Sequence, residues 1–263
     1  MLIIFSLIII SPFYLLIVNS LKSVNEFFVS PFSLPEVYEW SNFSKAWTEG
    51  NLFRCLINTI LTTGGALVLI IFCSSTAAFA LSRKRFRKLN NFLYIFFLVG
   101  VMIPSNVSIV PLALHMKFLN LSNSLIGLIL VFTAFTIPFS TFIMYGFIKN
   151  IPEELTEAAI IDGCNNFGIY FRIILPLARS GLVTVAIFEG VFIWNNLLFP
   201  LVLITSANKK TLPIGLLSFR GEFISEYTLM FAGIIISSLP LVLLYLILQS
   251  RFIEGMSSGA LKG

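Results

Sequence analysis

Six stretches of the chain, at about 1–20, 54–81, 91–113, 124–147, 178–205 and 228–249, are apolar over the length a helix needs to cross a bilayer, about 20 residues at 1.5 Å each. Polar residues collect between them in short runs. The pattern predicts an all-α membrane protein of six transmembrane helices, forming a single transmembrane domain over 1–263 with no room for a large soluble domain. Closed β-barrels also satisfy their backbone in lipid, but their signal is short alternating segments. Continuous runs such as Leu125 to Val131 and Leu239 to Leu248 favour helices. The segment 21–53 is too polar to span and too short to be a domain, so it is expected to form short surface helices. Composition agrees: 57% of residues are hydrophobic and 11% charged, a balance that no ordinary soluble domain has.

Charge sets the expected orientation. The connection after the second stretch carries Arg83, Lys84, Arg85, Arg87 and Lys88 without an acid, which places it inside. Six spans then leave both termini cytoplasmic, along with the loop 149–177. The 21–53 segment, with Glu26, Glu36, Glu39 and Glu49 against Lys22 and Lys45, suits the outer face, as does the short His115–Lys117 connection. That one basic loop explains the net charge of +5, so nucleic acid is not an expected partner. Met1 opens onto apolar sequence with no basic flank and no small-residue cleavage site follows, which predicts a retained first span. Cys55, Cys73 and Cys164 suggest neither a disulfide nor a metal framework.

The loop 149–177 opens with Ile151-Pro152-Glu153-Glu154-Leu155-Thr156-Glu157-Ala158-Ala159-Ile160-Ile161-Asp162-Gly163. Pro152 suits the first helical position, Glu153, Glu154 and Glu157 suit the positive end of the helix dipole, and Gly163 is a natural stop. Leu155, Ala158 and Ala159 fall at i, i+3 and i+4 with Asp162 at i+7, giving one small, apolar face fit for close approach by a partner. Glu157-Ala158-Ala159, Gly163 and the following Ile173-Ile174-Leu175-Pro176 resemble the EAA loop of ATP-binding-cassette importer permeases. In that family the loop is a coupling helix seated in a cleft of the ATPase subunit. The resemblance implies that Glu154, Leu155, Glu157, Ala158, Ala159, Asp162 and Gly163 form the ATPase-coupling surface.

The remainder of the chain resembles the carbohydrate class of these permeases, typified by the maltose-type inner-membrane subunits. Asn42-Phe43 with Ala46-Trp47, Asn58, Ala78-Phe79-Ala80-Leu81-Ser82-Arg83, and Met102-Ile103-Pro104 with Pro111-Leu112 follow its pattern. So do Trp194-Asn195-Asn196-Leu197-Leu198-Phe199-Pro200-Leu201, Thr211 to Leu216, and the ending Gly255 to Gly263. Cys164 where alanine is usual, Ser257-Ser258, and the lack of a basic N-terminal tail depart from it. The resemblance implies a type I importer transmembrane domain in a bacterial cytoplasmic membrane, forming half of a translocation pathway for a sugar or oligosaccharide. Its implied partners are a homologous permease subunit, two ATPase subunits and an extracytoplasmic solute-binding protein. A glycine-rich tail with Lys262 is expected to reach the ATPase interface.

No Gly-x-x-x-x-Gly-Lys-Ser/Thr loop occurs, so ATP and Mg are expected on the partner ATPase subunits, with no cofactor, metal or catalytic residue in this chain. Glu189 is the lone acid inside a predicted span, where a carboxylate is costly unless it faces water or a partner. Phe192, Ile193 and Asn196 share its helical face, and Glu189, Phe192 and Asn196 are the candidate substrate-pathway residues, an acid, a ring and an amide suited to sugar. The competing reading pairs Glu189 with a polar group of a neighbouring helix. Two other functions stay open: a permease for a non-sugar solute, and a secondary transporter, which would ordinarily carry several intramembrane ionisable groups. Tyr145, Asn106 and Thr136 could line a cavity, without a ranking among them. His115, a lone histidine, offers no metal pair or catalytic base.

Overall fold

The computed structural model describes residues 1–83, 87–221 and 226–260, and among these it is helical with no β-strand. Lys84, Arg85 and Lys262 lie outside the described residues. Helices long and apolar enough to cross a membrane are Leu52–Ser82, Leu125–Lys149 and Tyr227–Ile247; two bent pairs bring the number to as many as five, and Ile4–Ser20 is a shorter apolar helix. The chain forms two compact units, one of 1–60 with 204–243 and one of 61–203 with 244–263.

In the first unit, α1 (Leu2–Ser20) is followed by two short helices, α2 (Val24–Val29) and α3 (Ser41–Glu49), in the segment expected to form them. Ser23 caps α2 by accepting from the Glu26 N–H at 3.2 Å. The end of α1 leaves backbone carbonyls without helical partners, and the buried Asn42 amide of α3 donates to two carbonyls there, Ser20 O and Lys22 O, each at 2.9 Å. Helix α4 (Leu52–Ser82) starts after Asn51, whose φ of 47° turns the chain. Near its start Asn58 donates to Asn208 O and Lys210 O, and Thr59 Oγ1 accepts from the Leu212 N–H, stitching the 204–212 strip to the helix.

In the second unit, α5 (Arg87–Met102), α6 (Ile109–Phe118) and α7 (Leu125–Lys149) precede the loop 149–177. The stretch expected to span over 91–113 bends by 79° between Arg87–Met102 and Asn106–Phe118. Pro104 lies at the break in extended conformation (ψ 124°), since proline has no N–H for the helix and disfavours helical geometry in the residue before it. Pro138, by contrast, lies within an unbroken α7.

The loop holds α8 (Glu153–Ile161), α9 (Asn166–Ile169), a wide π-helical turn (Tyr170–Ile174) and α10 (Leu175–Leu177). Next come α11 (Arg179–Trp194) and α12 (Leu198–Leu203). The stretch expected over 178–205 is thus divided, because Asn195 and Asn196 interrupt it. Asn195 bonds back to Val191 O, and the Asn196 side chain accepts from the Phe199 N–H at 3.1 Å and caps α12. Helix α7 lies against both α5 and α11. Gly181 allows the approach of α11, since a Cβ there would stand 2.8 Å from the Phe147 ring. Small residues at helix contacts are how membrane bundles bring backbones close. In the first unit, α13 (Leu212–Leu216) and the start of α14 (Tyr227–Ala260) complete the chain.

Candidate functional site

Helix α8 is built as its sequence suggests, with one shift of register. Pro152, with ψ of 133°, caps the helix from just outside and Glu153 is the first helical residue, which still spares proline a missing intrahelical bond. At the other end Gly163 takes φ +79°. Its N–H donates to Ile160 O at 3.0 Å, and the Cys164 N–H donates to Ala159 O at 2.9 Å. This pair of bonds is a Schellman motif, and it satisfies two carbonyls that the helix end would leave orphaned.

The faces of α8 differ from the periodic expectation in one respect. Ala159 is 6% exposed and Thr156 is buried with it, so these two turn toward the rest of the chain. Leu155, at 45% exposure, and Ile161, at 86%, stand on the open side with Ala158 and Asp162. Glu154 and Glu157 are exposed as well. Ala159 therefore leaves the expected docking face and serves the helix's seat, because Thr156 and Ala159, three residues apart, form their own inward stripe.

The return from α8 is anchored. Asn165 caps α9 by accepting from the Gly168 N–H at 2.8 Å. Tyr170 is buried, its hydroxyl 2.6 Å from Ser75 Oγ on α4, and its ring lies 5.4 Å from that of Phe79. The segment Asn166–Leu177 then meets α11 at a 72° bend.

Glu189 lies on α11, 4% exposed, and accepts a hydrogen bond from Ser140 Oγ of α7 at 2.9 Å. Both readings made of this acid have their counterpart here. It pairs with a neighbouring helix, and it also lines a cavity of about 630 Å³. The cavity's other walls include Phe135, Phe139, Phe188, Phe192, Thr136 and Ser108. Rings with a few polar groups and one acid can take a solute that has apolar faces and hydroxyls.

The chain matches, over residues 70–258, the family described as binding-protein-dependent transport system inner membrane component. It belongs to that family. The permease is therefore a multi-pass inner-membrane component. It is 34% identical to the diacetylchitobiose uptake system permease protein of Streptomyces coelicolor, covering 100% of this chain and 87% of that one. It is 36% identical to a probable starch degradation products transport system permease protein of Thermoanaerobacterium thermosulfurigenes, over 99% and 94% of the two chains. A melibiose/raffinose/stachyose import permease protein of Bacillus subtilis is also 36% identical, over 96% and 91%. These relatives are carbohydrate transporter permeases. Among solved structures, a bacterial ABC transporter involved in the import of the acidic polysaccharide alginate shares the fold with a TM-score of 0.83 at 24% identity, covering 95% of this chain and 93% of that one. A methionine ABC transporter shares it more distantly, with a TM-score of 0.59 at 18% identity over 78% and 95%.

In this permease Glu189 and Phe192 come together at the cavity, whereas Asn196 is not among the lining residues and instead caps α12. Of the unranked residues Thr136 lines that cavity, Tyr145 lines a different one, and Asn106 sits in the turn after Pro104. Ser140 is the residue that sequence reading passed over. Its signal was present: Thr133, Thr136, Ser140 and Thr141 are buried at helical spacing along an otherwise apolar α7. Such a polar stripe inside a span marks the side that faces polar groups.

Proposed function

We propose that this chain is one permease half of an ATP-driven, binding-protein-dependent importer that carries a sugar or oligosaccharide. It would form a single six-span permease domain over 1–263, with both termini and α8 on the cytoplasmic side. The observation that carries the reading is the build of α8. It is a short helix locked at its C-terminal end by Gly163, seated on Thr156 and Ala159, and open to a partner through Leu155, Ala158 and Ile161 among Glu154, Glu157 and Asp162. A helix with such an open face docks in a groove of another protein through its apolar ridge, while the acids set its orientation. The groove belongs to an ATPase subunit that binds ATP and Mg. The buried anchor from Tyr170 to Ser75 gives displacement of α8 a stiff route into α4. A second permease subunit completes the pathway, and a solute-binding protein delivers the cargo from outside.

The carbohydrate assignment follows the names of the relatives and the mixed lining of the Glu189 cavity. Reconstitution into proteoliposomes with the partner permease, ATPase and binding protein, assayed with a panel of sugars and non-sugar solutes, tests both parts. Glu157→Lys is expected to abolish ATP-dependent uptake while the helix bundle stays assembled. Uptake that survives Glu157→Lys at normal expression removes the coupling role. Transport without any ATPase subunit points to a secondary transporter, and transport of non-sugars alone overturns the cargo class.

A further inference from the structure

Beside α8 lies a second cavity, of about 800 Å³, that neither the docking face nor Glu189 accounts for. Three cations line it: Arg83 just past α4, Arg87 opening α5, and Lys149 closing α7. Asn90 and Asn91 add amides, and Glu153 is the one carboxylate among its described lining residues. Two of the cations are held on aromatic shelves. The Arg83 guanidinium lies 4.3 Å from the centre of the Phe79 ring, and Lys149 Nζ lies 5.4 Å from that of Tyr145, which itself packs against Tyr94 at 4.4 Å.

Helix ends explain part of this arrangement. A cation at the C-terminus of a helix offsets the dipole there, which suits Arg83 and Lys149. Arg87 is the first described residue of α5, where no acid stands in the first turn beside it. Arg83 Nη2 is moreover buried with no hydrogen-bond partner among the described residues. Burial pushes the guanidinium pKa down, against the opposing charge of Glu153. Three cations against one carboxylate and a buried donor without a partner among the described residues together call for an anion, and the planar fork of arginine fits phosphate oxygens better than a point charge.

The surroundings indicate which phosphate. Beyond Asn91 a row of exposed apolar side chains, Phe92, Ile95, Phe96 and Val99, runs along α5 at i, i+3, i+4 and i+7. A polar pocket at one end of an apolar helical track has the layout of a lipid, head in the pocket and chain on the track. We propose that this cavity binds the phosphate group of an anionic phospholipid, with Arg83, Arg87 and Lys149 as its ligands. A soluble phosphate ester shares that chemistry but has no use for the apolar track. The site shares Glu153 and Thr156 with α8 but takes in none of the residues of its open face.

The assembled importer, held in nanodiscs of equal phosphatidylglycerol and phosphatidylcholine, provides the test, with the retained lipid measured by native mass spectrometry. Wild type is expected to retain phosphatidylglycerol preferentially, and each of Arg83→Gln and Lys149→Gln to reduce that preference about fivefold. Lys117→Gln, on an exposed residue outside the cavity, should leave it unchanged. Arg83→Lys, which retains charge without the fork, should fall between. If Arg83→Gln does not assemble, Lys149→Gln carries the same comparison. A parallel arm adds inorganic phosphate or glycerol 3-phosphate to lipid-depleted complex and follows its melting. Stabilisation there that Lys149→Gln removes, without any lipid preference, assigns the phosphate site to a soluble ligand and overturns the lipid. Equal retention by wild type and both variants, with no phosphate effect, or an equal loss in Lys117→Gln, overturns the site.

Discussion

Replacing Gly163 separates backbone geometry from contact at the end of α8. Its φ of +79° is open to glycine and, with less ease, to asparagine, and a Cβ placed there meets nothing within 4 Å in this chain. A substitution therefore acts through conformation. Gly163→Ala is expected to cost about 1–2 kcal/mol, the ordinary penalty for a left-handed alanine, and Gly163→Asn clearly less. Gly163→Pro cannot reach this φ and also removes the N–H that bonds to Ile160 O at 3.0 Å, so about 3 kcal/mol or more is lost. A shift of 1–2 kcal/mol changes a local opening equilibrium by about 5–30-fold. Hydrogen exchange at the Cys164 amide, which donates to Ala159 O, should speed up in the order asparagine, alanine, proline, and the ratio of solute imported to ATP hydrolysed should fall in the same order as the helix end frays. Asparagine as harmful as alanine would refute the conformational argument, because a Cβ at this position meets nothing and asparagine adopts this geometry more readily. Normal exchange and uptake in Gly163→Pro would refute it outright.

Glu189→Gln replaces the carboxyl but retains an acceptor for Ser140 Oγ. A hydrogen bond to a solute hydroxyl contributes about 0.5–1.5 kcal/mol, so uptake should fall about two- to tenfold with an altered ranking of sugars, and unchanged uptake and preference would take Glu189 off the pathway. Tyr170→Phe deletes the 2.6 Å contact with Ser75 but leaves that serine its bond to Phe72 O. About 1 kcal/mol of stability should be lost, with a lower transport yield per ATP, whereas an unaltered yield would show that the anchor does not transmit. Asn42→Ala strips the buried carbonyls of Ser20 and Lys22 of their donor. A cost of about 1–3 kcal/mol per carbonyl should appear as faster proteolysis of 21–53, and proteolysis at the wild-type rate would count against that cap.

The long helices were legible because apolar runs of membrane length leave the backbone few alternatives. Their breaks were only partly so. Pro104 announced a disturbance without its 79° size, and Asn195-Asn196 was a recognisable pattern without any sign that it ends one helix and caps the next. On α8, periodicity grouped Leu155, Ala158 and Ala159, but which edge of such a group faces inward depends on a neighbour far away in sequence. The inward edge is the one that Ala159 shares with Thr156. Glu189 stood out as a lone acid. Its partner Ser140 is 49 residues away, a separation that spacing along a single helix cannot bridge. The basic residues after α4 served to orient the chain, and only the fold brought Arg83 and Arg87 to the same cavity as Lys149.

The 72° corner between Asn166–Leu177 and α11 has a mechanical consequence. Glu189 lies ten residues beyond Arg179, a lever arm of about 15 Å at the helical rise. A swing of α11 about that corner by about five degrees, with α7 at rest, displaces the carboxylate by about 1.3 Å, enough to carry it out of hydrogen-bonding reach of Ser140. The side chain that lines the cavity thus sits at the end of a lever, where a tilt of a few degrees is enough to release or engage the acid.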